Sequence, residues 1–149
     1  MSYQLRKLTT KKQVDSAIRD TEDKVLLLRF GKENDPVTMQ LDNTLTKNEH
    51  LLSKMADMYS VDTDDVPVYT QYFDITITPA TIFFFNGQHI KVDWGTADHT
   101  KFIGSFRSSQ DLIDVVEVVY RGAMKGKLMV TSPLEHGSVT QYSLLYKDI

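Results

Sequence analysis

Apolar runs of strand length alternate along the chain with stretches whose apolar residues recur at helical spacing. Val25-Leu26-Leu27-Leu28 is unbroken, as expected of a strand covered on both faces, and Arg29 interrupts it at the end. Thr81-Ile82-Phe83-Phe84-Phe85 is strongly β-prone, and Asn86-Gly87 after it is the best hairpin signal in the chain. The returning strand spans residues 88–94, with Ile90, Val92 and Trp94 on one side. Tyr59-Ser60-Val61-Asp62 reads as a short buried strand, and residues 126–130 as a last extended piece. Leu5 to Leu8 opens the chain with a further short apolar segment.

Between the strands the period changes to that of a helix. Val14, Ala17 and Ile18 predict a helix over 11–20, capped by Thr9 or Thr10. Asp35 as N-cap and Pro36 at the first helical position predict a second helix running through Leu41 and Leu45. Leu51, Leu52, Met55, Ala56 and Met58 continue the helical spacing, and Val68, Tyr69, Tyr72 and Phe73 suit a short helix. A long helix over 110–121, capped by Ser108 or Ser109, carries Leu112, Ile113, Val116, Val119 and Tyr120, with Gly122 as its C′ stop. The stretch holding Phe102 and Phe106 has no clear assignment. This order predicts an α/β fold, a mixed central sheet with helices on both faces.

Composition narrows the function. The 149 residues suit one domain over 1–149, with a fold core over about 1–131 and a C-terminal extension over about 132–149. No apolar run approaches the roughly 20 residues that span a bilayer, and the first residues lack a secretory core, so an intracellular protein with no membrane partner is expected. The net charge of −3 argues against binding nucleic acid mainly through phosphates. The chain has no cysteine, which excludes disulfides, thiolate catalysis and cysteine-based metal sites. The four histidines are scattered, and no metal or other cofactor is expected.

One layout carries chemistry by what it lacks. A strand, a loop over 31–35, a helix start at Asp35-Pro36-Val37-Thr38, and Thr78-Pro79 before the next strand resemble the thioredoxin layout. There a Cys-x-x-Cys pair at a helix start faces a cis-proline. The positions expected to be cysteine are Asp35 and Thr38, and neither can form or attack a disulfide. Asp35 reads as a helix cap, with no second acid or base beside it. An X–Pro bond is cis in only about 5–6% of cases, but the layout points to cis at Pro79. Without thiols, such a groove keeps the means to hold a peptide by main-chain hydrogen bonds.

Arg29 has two readings: outward at the strand end, or paired with Glu33, Asp35 or Asp93. Redox thioredoxins commonly carry a buried acid near this position, so a cation argues further against redox work. Asp62, Asp64 and Asp65 lack the glycine and final glutamate of a calcium loop and read as solvated. Phe83, Phe84 and Phe85 suggest an RNA-stacking platform, but three consecutive residues of a strand cannot share a face, and core packing is the better reading. Arg121, Lys125 and Lys127 form the one local basic cluster, a candidate contact for RNA or an acidic partner. Tyr142, Leu144, Leu145 and Tyr146 come so late that they either pack back on the domain or meet another chain.

Several stretches together resemble a known family: Leu28-Arg29-Phe30-Gly31, Asp35-Pro36, Ser60-Val61-Asp62, Tyr72-Phe73-Asp74, Phe83-Phe84-Phe85-Asn86-Gly87 and Tyr120-Arg121-Gly122-Ala123. The chain resembles, over essentially its whole length, the Dim-type thioredoxin-like spliceosomal proteins (the thioredoxin-like protein 4 family). Its length, Tyr69-Thr70-Gln71-Tyr72, Gln88-His89 and the ending Leu144-Leu145-Tyr146-Lys147-Asp148-Ile149 are most similar to the 4B branch. The resemblance implies a thioredoxin fold, a nuclear location, and a role in pre-mRNA splicing linked to cell-cycle progression. It further implies contacts with splicing-factor proteins of the tri-snRNP and homodimerisation, without enzymatic activity or a small-molecule substrate. Two alternatives stay open: an RNA-contacting splicing module, or an enzyme using a non-cysteine variant of the pocket.

Overall fold

Strand β2 (Val25–Gly31) lies at the centre of the sheet, and its alternation organises the core. The computed structural model describes residues 4–135 and residue 139. Tyr142, Leu144, Leu145 and Tyr146 lie outside the described residues, so the expected role of the tail is not addressed by the fold. In chain order the remaining elements are β1 (Arg6–Leu8), α1 (Lys11–Asp20), α2 (Pro36–Asn48), β3 (Ala56–Asp62) and α3 (Pro67–Tyr72). They continue with β4 (Ala80–Phe85), β5 (Gln88–Asp93), β6 (Phe102–Ile103), α4 (Ser109–Met124) and β7 (Met129–Thr131).

The strands order as β1-β3-β2-β4-β5-β7, and β6 extends the pairing of β4. β2 runs parallel to β3 and antiparallel to β4. It is therefore covered on both edges as well as both faces, which explains its continuous apolar run. Successive side chains leave a strand on opposite faces. Leu26, Leu28, Phe30, Ile82 and Phe84 meet Val14 of α1, Val66 and Phe73 on one side. Val25, Leu27, Phe83 and Phe85 meet Leu41 and Leu45 of α2, and Leu112, Val115, Val116 and Val119 of α4, on the other. The three phenylalanines thus fill both cores, as their succession predicts. Each such fully buried side chain contributes about 1.5–3 kcal/mol of apolar burial.

Local signals act as expected at the helix starts. Thr10 accepts from the Gln13 N–H at 3.1 Å, and Ser108 accepts from the Asp111 N–H at 3.2 Å. Asn86 (φ 50°) and Gly87 (φ 81°) both take the left-handed backbone that a two-residue hairpin needs.

Three expectations fail. Arg29 does not end its strand: β2 continues through Phe30 and Gly31, because Arg29 finds a partner inside the protein. The helical spacing from Leu51 to Met58 is not a helix. Residues 49–55 form turns, with Met55 and Ala56 both donating to Leu52 O at 2.9 Å, and Ala56 then opens β3 opposite Val25. Helix and strand periods coincide over so short an apolar stretch, and pairing with the central strand decides between them. Gly122 does not stop α4 but lies inside it, against β7, where an added Cβ would stand 2.3 Å from Val130 Cγ1. The turn beyond the helix is made by Gly126, at φ 86°. Phe102 and Phe106 stack with ring centroids 4.4 Å apart, and Phe102 belongs to β6.

A thiol-free groove as candidate functional site

β2 and β3 are parallel, so their C-terminal ends and the loops that follow share one end of the sheet. β4 is antiparallel to β2, so Thr78-Pro79 enters at the same end, facing the start of α2. The Thr78-Pro79 bond is cis. Pro79 O accepts from the Gly104 N–H at 2.9 Å, and Ala80 pairs with Ile103, so β6 holds the turn from the sheet side. Among the described residues no hydrogen bond reaches the main chain of Thr78. The topology thus brings Asp35, Pro36, Val37 and Thr38 to the same end of the sheet as Thr78 and Pro79.

Asp35 is engaged in structure. Its Oδ2 accepts from the Thr38 N–H at 3.1 Å and from the Thr38 hydroxyl at 3.0 Å, closing the first turn of α2. Thr38 is buried. Asp35 and Thr38 are thus tied to each other by a cap. Exposed apolar side chains flank them: Val37 is 42% exposed and Ile77 43%.

Beneath this cap lies Arg29, only 1% exposed. It is paired, but with none of the three acids the sequence nominated. Nε donates to Asp42 Oδ1 at 2.7 Å and Nη2 to Oδ2 at 2.6 Å, a bidentate bridge to α2. Asp42 was detectable in principle. It falls four residues after Thr38, hence on the same helix face. Gly31 makes room for this arrangement. A Cβ there would stand 3.0 Å from Thr38 Oγ1 and 3.5 Å from Arg29 Nη1. Arg29 pairs in register with Ser60 on one side and Thr81 on the other, a polar row across three adjacent strands. Within it Arg29 Nη1 and Thr81 Oγ1 are buried without a hydrogen-bond partner.

The acidic loop is solvated, as expected, and serves as a clamp. Lys32 donates to Asp62 Oδ1 at 2.9 Å and to Asp64 Oδ2, tying the loop after β2 to the loop after β3. These two acids raise the Lys32 ammonium above its ordinary range, Asp64 foremost. Burial pushes the Asp62 carboxyl up, but the Asp64 N–H and Lys32 outweigh it and leave it below the usual range. Among the described residues no group of acids and histidines could hold a metal ion, and no helix is long and apolar enough to cross a membrane.

The basic cluster lies elsewhere, at the end of α4 and the approach to β7. Arg121 is committed to Glu117 at 2.9 Å, while Lys125 and Lys127 are exposed beyond the helix end. Met124, Leu128 and Met129 are exposed beside them in the chain.

Comparison with known proteins agrees with the geometry. The solved structure of chloroplastic thioredoxin z superposes with a TM-score of 0.63 over 82% of this chain and 99% of that one, at 16% identity, which identifies the fold as that of thioredoxin. Thioredoxin-like protein 4B of Mus musculus is 61% identical over 149 residues, the whole of both chains. Spliceosomal protein DIB1 of Saccharomyces cerevisiae is 30% identical over 135 residues, 91% of this chain and 94% of its own. The family model described as "Mitosis protein DIM1" matches residues 4–136. The chain belongs to the DIM1 family and has a thioredoxin fold in which Asp35 and Thr38 are joined as a helix cap.

Proposed function

We propose that this protein is a non-catalytic interaction factor in pre-mRNA splicing, linked to cell-cycle progression and working in the nucleus. Its membership of a family named for mitosis, with a spliceosomal relative covering 91% of the chain, supports the cellular role. The observation that carries the molecular role is the state of the two former redox positions. Asp35 and Thr38 are joined as a helix cap, with no thiol at either position. A thiol nucleophile is missing, while the main chain at Thr78 makes no hydrogen bond among the described residues and lies between exposed Ile77 and buried Pro79. Such a main chain is suited to adding an extended segment of a protein partner by hydrogen bonds. The partners are splicing-factor proteins of the tri-snRNP. The protein acts as a homodimer, with the tail residues Tyr142, Leu144, Leu145 and Tyr146 and the cluster Arg121, Lys125 and Lys127 as a second contact region.

The test is affinity purification from nuclear extract with the full chain, a groove variant (Val37→Arg with Ile77→Asp) and a truncation after Ser132. The full chain is expected to retain tri-snRNP proteins. The groove variant should lose them while keeping its circular-dichroism spectrum, and the truncation should lose self-association by sedimentation. Turnover in an insulin-reduction assay, or retention of every partner by the groove variant, would overturn the reading.

A further inference from the structure

The sheet ends on one side at β7, the last strand in its order. The Lys91 N–H donates to Leu128 O at 2.9 Å, and the Ser132 N–H to Asp93 O at 2.8 Å. Main-chain groups alternate between the two edges of a strand, so those of Val130 face β5 while those of Met129 and Thr131 face away from it. Among the described residues no strand pairs with that outer edge. The turn that leads into it is apolar and cationic at once. All six residues from Met124 to Met129 are exposed, Met124 by 53%, Leu128 by 51% and Met129 by 42%. Gly122 O accepts from the Lys125 N–H at 3.1 Å and the Lys127 N–H at 3.0 Å, which holds the backbone of both lysines where β7 begins. Lys91, also exposed, is the register neighbour of Met129 and adds a third cation on the same face of the sheet.

Charge selects the occupant. Lys91, Lys125 and Lys127 have no ion pair among the described residues, whereas Arg121 is answered by Glu117. Asp93, the acid of β5 on the same face as Lys91, stands 3.6 Å from His99 and accepts from the Gly95 N–H. Residues 124–131 include no acid, so the same stretch of a second copy cannot answer the lysines. They include no aromatic ring on which a base could stack, and methionine and leucine gain nothing against phosphates, which disfavours RNA. An extended protein segment with acidic and apolar side chains meets all three features. Its main chain pairs with the free edge, its acids meet the lysines, and its apolar groups cover Met124, Leu128 and Met129. We propose that the outer edge of β7 takes such an acidic, apolar segment of a partner protein as an added strand. The proposal rests on the basic cluster being a contact region and names the chemistry of what it contacts.

The test titrates the full chain with three probes: a blocked peptide of alternating glutamate and valine, its glutamine counterpart, and a short oligouridylate. Methyl NMR signals of Met124 and Met129 report binding, and hydrogen exchange of the Met129 and Thr131 amides reports strand pairing. The glutamate peptide should bind saturably and slow the exchange of both amides. The glutamine peptide should bind about tenfold more weakly, the size of two or three exposed ion pairs. Lys125→Glu with Lys127→Glu, both at exposed positions, should weaken the glutamate peptide at least as much. Thr131→Pro removes an outward N–H and should abolish pairing, and the lysine variant decides the matter if this one folds poorly. The groove variant of the nuclear-extract purification reads a different surface, so either result can fail alone. Equal binding of the glutamine peptide, or glutamate binding that survives the lysine reversal or leaves both amides unprotected, would overturn the proposal. So would tighter binding of the oligouridylate at the same signals. Amides already protected in the free chain would overturn it too, assigning the edge to a second copy if protection rises with concentration and to the chain itself if it does not.

Discussion

Replacing Asp42 by asparagine is expected to destabilise the protein more than replacing Arg29 by methionine, although both break the same ion pair. The asymmetry comes from burial: the Arg29 side chain is 1% exposed and that of Asp42 26%. Removing the partner of a fully buried charge costs about 3–5 kcal/mol, because the charge stays in the interior. Asparagine keeps one oxygen for Nε, and water can approach position 42, so the expected cost of Asp42→Asn is about 2–4 kcal/mol. Arg29→Met removes the charge itself and fills the space with an unbranched side chain. The carboxylate it leaves is partly exposed to water. Exchange of a buried pair for apolar groups is often close to neutral, so less than about 1.5 kcal/mol is expected. Urea unfolding followed by the fluorescence of Trp94 measures both. With a slope of about 2 kcal/mol per molar urea, the asparagine variant should unfold about 1–2 M earlier and the methionine variant less than about 1 M earlier. If Arg29→Met costs as much as Asp42→Asn, the reasoning from an uncompensated interior charge is wrong.

Two further outcomes follow from packing and protonation. Gly122→Ala would ordinarily stabilise a helix interior by about 1 kcal/mol, but its methyl would stand 2.3 Å from Val130 Cγ1. Overpacking of about 1–3 kcal/mol should win, and a rise in melting temperature would refute the close approach. His89 lies between Phe73 and Phe84, with Nε2 3.2 Å from Thr100 O, and burial holds its imidazole below the ordinary range. The unfolded chain therefore takes up the proton first. The contribution of His89 is present above the unfolded value of about 6.5 and is lost as pH falls through and below it. His89→Gln should flatten the fall in melting temperature between pH 7 and pH 5, and an unchanged slope would remove His89 as its cause.

The capped helix start and the proline turn were legible in the sequence because each is local. Asp35-Pro36 is a helix start on its own terms, Thr78-Pro79 precedes a β-prone run, and the absence of cysteine is a matter of composition. The partner of Arg29 was not legible in the same way. Glu33, Asp35 and Asp93 were nominated from the chain around the strand, whereas Asp42 is brought to Arg29 by the second turn of α2. Gly122 shows the same limit: glycine near the end of a helix reads as a stop, and only the return of β7 across α4 gives it a packing role.

By itself the sequence determined the class of fold, the order of most of its elements and the loss of thiol chemistry. Periodicity, caps and composition act over a few residues at a time. The tertiary structure alone decided that residues 56–58 extend β3, that Arg29 is an interior charge held by Asp42, and that its Nη1 is buried without a hydrogen-bond partner. Those outcomes depend on which distant segments meet, and on whether a polar group loses water on meeting them. Strand register and helix docking set both.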